Sequence, residues 1–506
     1  MKEDDFEKLV RRLEVDATIS PRAFRTKVAL ISVAAYLVLF GLMAALATYL
    51  YLCWTFFQGH AWALVKLGAI GLAVAIPLYI VVLRVLFMRF KPPTGRAITR
   101  AEAPRLFETL DKLRAKLKGP KIDHVLIDRD FNAAIVQHPR FGLAGGHTNY
   151  LILGLPFLLG MAPNEMLAVI AHEYGHLCGN HSKFSAFIYR QRHTLGALHA
   201  QVTETSEPEW SDRILARLLG WYAPIHNAYT FVLSRQNEYE ADRAAIEVAG
   251  PAAHAGGLVR SQLLGRWVGE RYWSRIYEEA ERAMRPAFMP YASMRTAFKA
   301  CHDEWCTSER LAEEWERKAG LVDTHPSLRE RVDAADIAPQ LPSVPSVTGA
   351  DAFLGANATA ALIAEFDQDW WKEERPSWEE RCKYVTRSKA RLMELNAVPL
   401  TSVPLMDLQE FAYLTWEFDG AKAAKPILEH LMRQPGGPFP RASYAYGRIL
   451  LDEGARRGLD YLEEAARKDR TLAEACVRSG CEYLMEKEGQ DAAQEWFERF
   501  AATATA

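Results

Sequence analysis

The sequence predicts a mainly α protein with an N-terminal transmembrane helical hairpin, a central α+β domain with a small sheet, and a C-terminal α-helical repeat domain. Three observations lead to this prediction. Two long uncharged runs lie near the N-terminus, a histidine motif stands on a helical apolar pattern in mid-chain, and glycines recur regularly near the end. The expected segments are a cytoplasmic N-terminal arm (1–27), two transmembrane helices (28–90), the central domain (91–336), a linker (337–350) and the repeat domain (351–506).

Composition narrows the classes of protein to be considered. The chain has 506 residues, enough for about three domains, and a net charge of −2, so nucleic acid is not an expected partner. Its seven cysteines are scattered without a repeated CxxC, which indicates a reducing compartment rather than a disulfide framework. Cys301, His302 and Cys306 form a local cluster, but no fourth ligand lies nearby in sequence, so we interpret it as structural.

The N-terminal region carries the pattern of a membrane anchor. Residues 28–54 are 27 positions without a charged side chain, and 67–83 form a second uncharged run in which Pro77 is expected to kink the helix. Lysine and arginine are absent from the connection 55–63 but frequent on both outer sides. The positive-inside rule therefore predicts that both ends of the hairpin, and the domains that follow, are cytoplasmic.

A helix and a small sheet are expected to open the central domain. Leucines recur at helical spacing from Leu106 to Leu117, and a Gly-Pro pair then ends the pattern. Three alternating or apolar runs predict strands, and a glycine-rich turn lies at 141–146. The runs are 121–128, 132–137 and 148–153. An edge strand of such a sheet could bind an extended peptide by strand addition.

An H-E-x-x-H motif is the strongest chemical signal. His172 and His176 are four residues apart, so on a helix they lie on one face and can bind one metal ion. Glu173 can reach a water on that ion, which is the arrangement that metal-assisted hydrolysis needs. Pro163 suits the start of this helix, and Gly175 suggests that another segment packs closely. The alternative is a buried helix whose histidines only form hydrogen bonds.

The chain beyond this motif is expected to stay helical. Residues 218–234 form another uncharged run that contains Pro224 and His226, which favours a buried or membrane-grazing helix over a third span. The pattern E-Y-E-A-D follows, beginning at Glu238.

An H-E-x-x-H helix followed roughly sixty residues later by E-Y-x-A-D resembles the integral-membrane zinc metallopeptidases of the HtpX and CAAX prenyl protease type, peptidase family forty-eight of the metallo class. The resemblance covers about residues 90–335 and implies a gluzincin-like fold. It implies one zinc ion per chain, with His172, His176 and Glu238 as ligands and Asp242 supporting a ligating imidazole. It also implies an integral protein of a bacterial inner membrane that acts in membrane-protein quality control.

Two further matches extend the resemblance. Asn132 and Ala133 resemble the entry to the family's substrate strand. The T-H-P-S sequence around His325, with Arg331 downstream, resembles a motif whose histidine and arginine approach the active site. The proline after His325 leaves an alternative, an ordinary loop histidine before a helix.

Helical register separates the glutamates of the second motif. On one continuous helix, Glu238 shares a largely apolar face with Phe231 and Asp242, whereas Glu240 lies on a polar face with Arg243. We therefore expect Glu238 to complete the metal site and Glu240 to pair with Arg243 or with water.

The C-terminal part of the sequence is periodic. After a proline- and serine-rich linker, Gly420, Gly454 and Gly489 recur at intervals of 34 and 35 residues. This period resembles tetratricopeptide or Sel1-like helical repeats, which present concave surfaces to protein partners. A generic helical bundle is the alternative.

These features predict a membrane-bound zinc endopeptidase that acts on protein or peptide substrates at the cytoplasmic side of the lipid bilayer. Glu173 would be the general base, and His325 or Arg331 would donate to the oxyanion. The alternative is a catalytically silent, membrane-anchored scaffold that recruits partners through the C-terminal repeats. The intact Glu173 favours the enzyme, since a scaffold needs no base beside two metal ligands.

Overall fold

The computed structural model describes residues 3–56, 62, 65–73, 76, 91–140, 146–178, 188, 191, 210–320 and 325–504. Parts of the predicted second membrane helix and of the connection before it, most of the turn at 141–146, and Thr324 lie outside these residues. The chain divides into two compact units. The first comprises Met1–Ile276 and Phe288–Glu373, and the second comprises Tyr277–Ala287 and Glu374–Ala506.

Two helices begin the first unit, α1 (Glu3–Ile19) and α2 (Pro21–Phe56). Because α1 is amphipathic, it buries an apolar face that includes Val10 and Leu13, whereas α2 exposes large apolar side chains such as Leu37 and Trp54. None of the helices in the described part of the chain combines the length and the apolar character needed to cross a membrane. The predicted membrane-spanning helices are therefore not confirmed.

The first unit contains the small sheet that the sequence predicts. Its strands are β1 (Arg96–Ile98), β2 (His124–Asp128), β3 (Ala133–Pro139) and β4 (His147–Gly154). They lie in the order β1-β2-β4-β3, with β2 and β4 parallel and the other two pairs antiparallel. No pattern in the sequence predicts β1, because three residues are too few to show a period. The helix expected before the sheet is confirmed as α3 (Pro104–Leu117), which buries Leu106, Leu110 and Leu113.

Strand β3 lies at one edge of the sheet, so half of its backbone groups face away from β4. The carbonyl of Asn132 accepts from the Gly154 N–H at 2.8 Å, so this residue, just before β3, points towards β4. Direction alternates along an antiparallel strand. Ala133, Ile135 and Gln137 therefore present their N–H and C=O groups to the open edge.

Four helices place the residues of the candidate site: α4 (Leu155–Gly160), α5 (Pro163–Gly175), α6 (Trp210–Ala249) and α7 (Pro251–Trp267). α5 begins at the predicted proline, but the expectation that the chain stays helical is wrong for residues 176–178. The chain forms 3₁₀-type turns there, because the N–H groups of Leu177 and Cys178 donate to the carbonyls three residues before them. The uncharged run at 218–234 belongs to α6, which continues without a break through the second motif.

Further helices lie wholly or partly in the first unit: α8 (Trp273–Glu278), after a π-helical turn at Val268–Tyr272, α9 (Pro290–Ala300), α10 (His302–Trp305), α11 (Ser308–Glu316), α12 (Leu328–Ala334), α13 (Gly349–Phe353) and the start of α14 (Ala356–Asn396). The segment predicted as a linker is held by backbone contacts. The Pro342 carbonyl lies 2.9 Å from His302 Nε2 and accepts from Cys306 Sγ at 3.3 Å. These contacts fit the structural interpretation of the cysteine–histidine cluster.

The second unit consists of helices joined by short turns: α15 (Leu405–Asp419), α16 (Ala421–Met432), α17 (Pro440–Asp452), α18 (Gly458–Lys468), α19 (Ala473–Lys487) and α20 (Gln490–Ala504). Gly420, Gly454 and Gly489 have φ angles of 89°, 78° and 94°, a region that favours glycine. Each follows a helix, so the glycine period in the sequence marks turns between paired helices. The helical character is confirmed, and the assignment to a repeat family stays a prediction.

Candidate metal centre

Helix α5 is fixed near its N-terminal end by a buried ion pair. Glu165 lies in the first turn, where its Oε2 accepts from the Ala162 N–H at 3.0 Å. Arg260 on α7 is 2% exposed, and its Nη2 donates to Glu165 Oε1 at 3.1 Å while its Nε donates to Oε2. Because a two-pronged guanidinium bond fixes direction as well as distance, it sets the position of α5 against α7.

Helix α5 meets α6 at Gly175. A Cβ atom added there would lie 3.0 Å from the Cα of Ala241 and 3.1 Å from the Cβ of Ala244. The two helices therefore approach as closely as small residues allow, which is the close packing that the sequence predicts. This contact brings Glu238 of α6 beside the histidines of α5.

Three side chains converge at this crossing. His172 Nε2 and His176 Nε2 lie 3.3 Å apart, and each lies 3.5 Å from an oxygen of Glu238. Within the described ranges, these residues form the one group of three His, Cys, Asp or Glu whose ligand atoms all lie within 4.8 Å of one another. In tetrahedral sites zinc lies about 2.0–2.1 Å from imidazole nitrogens, so neighbouring ligand atoms are about 3.3–3.4 Å apart. The donor set and its spacing fit zinc.

A carboxylate lies behind His172. Asp242 Oδ1 is 2.8 Å from His172 Nδ1, which leaves Nε2 of this ring facing Glu238. Arg331 on α12 donates to both oxygens of Asp242, from Nη2 at 2.6 Å and from Nε at 3.0 Å. Such a partner fixes the tautomer and the orientation of a ligating imidazole. Asp242 thus lies between His172 and Arg331, and its role behind a metal ligand stays a prediction.

Glu173 connects the motif to the sheet. Its Oε2 accepts from the backbone N–H of Ile135 at 3.1 Å, on the open edge of β3. Asn132 is exposed just before β3, and Ala133 is the first residue of the strand. The candidate base and the predicted substrate strand are therefore next to each other.

His325 approaches the candidate site through Glu238. Its Nδ1 lies 2.7 Å from Glu238 Oε2, while its side chain is 63% exposed. The histidine therefore contacts a carboxylate of the candidate ligand group and also faces solvent. Ser327 begins α12 with a capping box to Glu330, and this places Arg331 on the inner side of the same short helix.

Burial and hydrogen bonds set the charge states of the cluster. Burial alone would lower the pKa of His172, but hydrogen bonds to Asp242 and Glu238 raise it to about 9. Burial lowers the pKa of His176 to about 4 and raises the pKa of Glu173, the direction that suits a general base. Burial also opposes ionisation of Glu238, yet hydrogen bonds from two histidines hold its pKa below the usual carboxyl range.

Glu240 does not join the cluster. It contacts Arg25 of α2, its Oε1 lies 3.8 Å from Arg243 Nη2, and its side chain is 39% exposed. The expected pairing with Arg243 is present but long, and Arg25 is a partner that the sequence does not indicate.

His254 is a member of the site that sequence reasoning misses. It lies on α7, is 3% exposed, and its Nε2 is 3.4 Å from Asp242 Oδ1. Burial lowers its pKa to about 4, so the ring is neutral at pH 7. A lone histidine among alanines and glycines has no motif partner, so no sequence signal points to it.

Comparison with known proteins gives one family match. The model of peptidase family M48 matches residues 141–338. No curated protein matches the sequence. The crystal structure of S. mikatae Ste24p aligns with 17% identity and a TM-score of 0.23, over 62% of this chain and 66% of that chain, slightly less than two thirds of its length. A TM-score this low does not establish a common fold. Residues 141–338 contain all ligands of the candidate centre, and their match to family M48 supports a metallopeptidase domain in this chain.

Proposed function

We propose that this protein is a zinc endopeptidase whose metal is held by His172, His176 and Glu238, one ion per chain. The observation that carries the proposal is the combination of a zinc-sized ligand triangle with Glu173 at the open edge of a strand. A structural metal site needs neither an adjacent carboxylate nor an adjacent strand edge, whereas peptide hydrolysis uses both.

The side chains divide the chemistry between them. When bound, zinc supplies Lewis-acid chemistry that activates water and polarises a peptide carbonyl. Glu173, with its pKa raised by burial, takes the proton of the attacking water and passes it to the leaving amine. His325 is exposed beside Glu238 and is the donor we assign to the developing oxyanion. Arg331 acts indirectly, since it holds Asp242, which orients His172.

The substrate class follows from the edge of β3. Ala133 and Gln137 present backbone groups to the open side, and Ile135 between them reaches Glu173. An extended peptide that pairs with this edge would place its backbone next to the base without requiring a particular side chain. We therefore assign proteins or peptides with extended segments as substrates.

Membrane association belongs to the same proposal. α2 exposes large apolar side chains along much of its length, including Leu37, Phe40, Tyr51 and Trp54, and such a surface is favourable in contact with lipid. Catalysis at the cytoplasmic side, a bacterial inner membrane and a role in membrane-protein quality control are the further parts of this proposal. Alkaline carbonate extraction of a membrane fraction tests the association, and recovery of the full chain in the soluble fraction would contradict it.

The decisive experiment compares Glu173→Gln with the wild type. A glutamine carbonyl can still accept from the Ile135 N–H, so the fold and the ligands are preserved while the base is lost. We expect casein cleavage to fall by about two or more orders of magnitude, with zinc still bound at one ion per chain.

Two controls complete this test. Glu240→Gln, which changes a carboxylate outside the cluster on the same helix as Glu238, should keep both zinc and cleavage. A zinc chelator should remove wild-type activity, and added zinc should restore it. A wild-type protein that binds zinc but cleaves nothing would favour the scaffold instead.

A further inference from the structure

We propose that His254 is a positioning residue of the metal centre, which holds the Asp242 carboxylate in the orientation that fixes His172. This inference rests on the proposed zinc site. It concerns a residue of α7, a helix that supplies none of the three ligands.

His254 is buried, with one of its ring nitrogens near the Asp242 carboxylate. The side chain is 3% exposed, and Nε2 lies 3.4 Å from Asp242 Oδ1. Among the residues that the structure describes, Nε2 forms no regular hydrogen bond. A buried polar atom without a partner is destabilising, so a small adjustment that lets Nε2–H donate to Asp242 is favourable.

The geometry of Asp242 shows why a further donor matters. Its Oδ1 already meets His172 Nδ1 at 2.8 Å and Arg331 Nη2 at 2.6 Å, and its Oδ2 accepts from Arg331 Nε. The terminal torsion of an aspartate is soft, so each further donor narrows the range of angles that the carboxylate can adopt. His254 approaches from α7, whereas Arg331 approaches from α12. Donors on two separate helices restrict that rotation more than either one alone.

The two imidazole rings also support this arrangement. The His254 and His172 rings are nearly parallel, with an interplanar angle of 20° and centroids 6.5 Å apart. Both rings direct a nitrogen at the same oxygen, Asp242 Oδ1. A change at His254 therefore alters the partner that sets the tautomer of His172, without touching a ligand atom.

The test uses two amides of different reach. In His254→Gln the side-chain NH2 can occupy the place of Nε2, whereas in His254→Asn it falls short of Asp242. We expect Asn to lower zinc affinity by about tenfold, the lower end of the range for partners of metal-bound histidines, and Gln to recover most of that loss. Affinity is measured by competition with a chromophoric chelator, and thermal unfolding shows whether each variant is folded.

Kinetics on the zinc-loaded variants provide the second readout. A positioning role predicts that His254→Asn lowers kcat on a peptide substrate and leaves KM within about twofold, because β3 is unchanged. Equal zinc affinity in the wild type, Gln and Asn variants would overturn the inference, as would equal losses in both variants, which would indicate packing alone. Absence of zinc from the wild type would instead refute the proposed function, so the two failures are distinguishable.

Discussion

Replacing Gly175 with alanine tests whether the crossing of α5 and α6 sets the metal site. The new Cβ would lie 3.0 Å from Ala241 Cα, and ordinary contacts begin at 3.4 Å, so the helices must separate by about 0.4 Å at this point. Metal–ligand distances tolerate only about 0.2 Å. The displacement separates the histidines from Glu238, and we expect zinc affinity to fall by about tenfold or more.

The stability change of this variant is the sum of two opposing effects. Overpacking lowers the free energy of unfolding by about 1–3 kcal/mol, whereas replacing glycine with alanine in a helix raises it by about 1 kcal/mol. The free energy of unfolding therefore falls by about 0–2 kcal/mol in total. Chelator competition and thermal unfolding measure the two quantities. The matched control is Gly220→Ala on α6, where nothing lies within 4 Å of the added Cβ. Wild-type zinc affinity in Gly175→Ala would refute the reasoning.

Three further predictions concern partners of the site and the surrounding core. Asp242→Asn should weaken zinc binding by about 10- to 100-fold in chelator competition, while Glu240→Gln should leave it unchanged. Arg260→Met should lower the free energy of unfolding by about 3–5 kcal/mol, because Glu165 is left charged and buried. Adding Glu165→Gln should recover part of the lost free energy, as measured by denaturant titration. Burial raises the pKa of Tyr272 to about 12, so its protonated form contributes stability that is present below its ordinary pKa of about 10 and is lost as the pH rises from 10 to 12. Over that range, the free energy of unfolding of Tyr272→Phe should fall less steeply with pH than that of the wild type, by up to about 1.4 kcal/mol per pH unit. An unchanged slope would contradict this.

Much of the candidate site is accessible from the sequence, because its residues lie on regular helices. A spacing of four places His172 and His176 on one face, and the register of α6 separates Glu238 from Glu240. Gly175 predicts a close contact but cannot name Ala241 as its partner. Periodicity describes one helix at a time, and the partner becomes known only when two helices are packed.

Contacts between distant segments explain what the sequence leaves open. His254 reaches Asp242 because α7 turns back beside α5, and no local pattern records that return. Arg331 is a similar case: its motif predicts that it approaches the active site, but not that its guanidinium is bound to Asp242. The strand β1 is missed for a different reason, since three residues carry no measurable alternation.

The order of the ligands along the chain bears on how the protein is made. During synthesis His172 and His176 are produced first, Glu238 follows 62 residues after His176, and Arg331 follows 93 residues after Glu238. Two imidazoles alone bind zinc weakly, because a structural or catalytic site needs at least three protein ligands. A ribosome-bound chain that has not reached Glu238 therefore holds two of the three candidate ligands, and until Arg331 is made it also lacks the guanidinium that binds Asp242. The proposed zinc site would thus lack its third ligand, beside unfolded segments of the same chain, until most of the first unit has been synthesised.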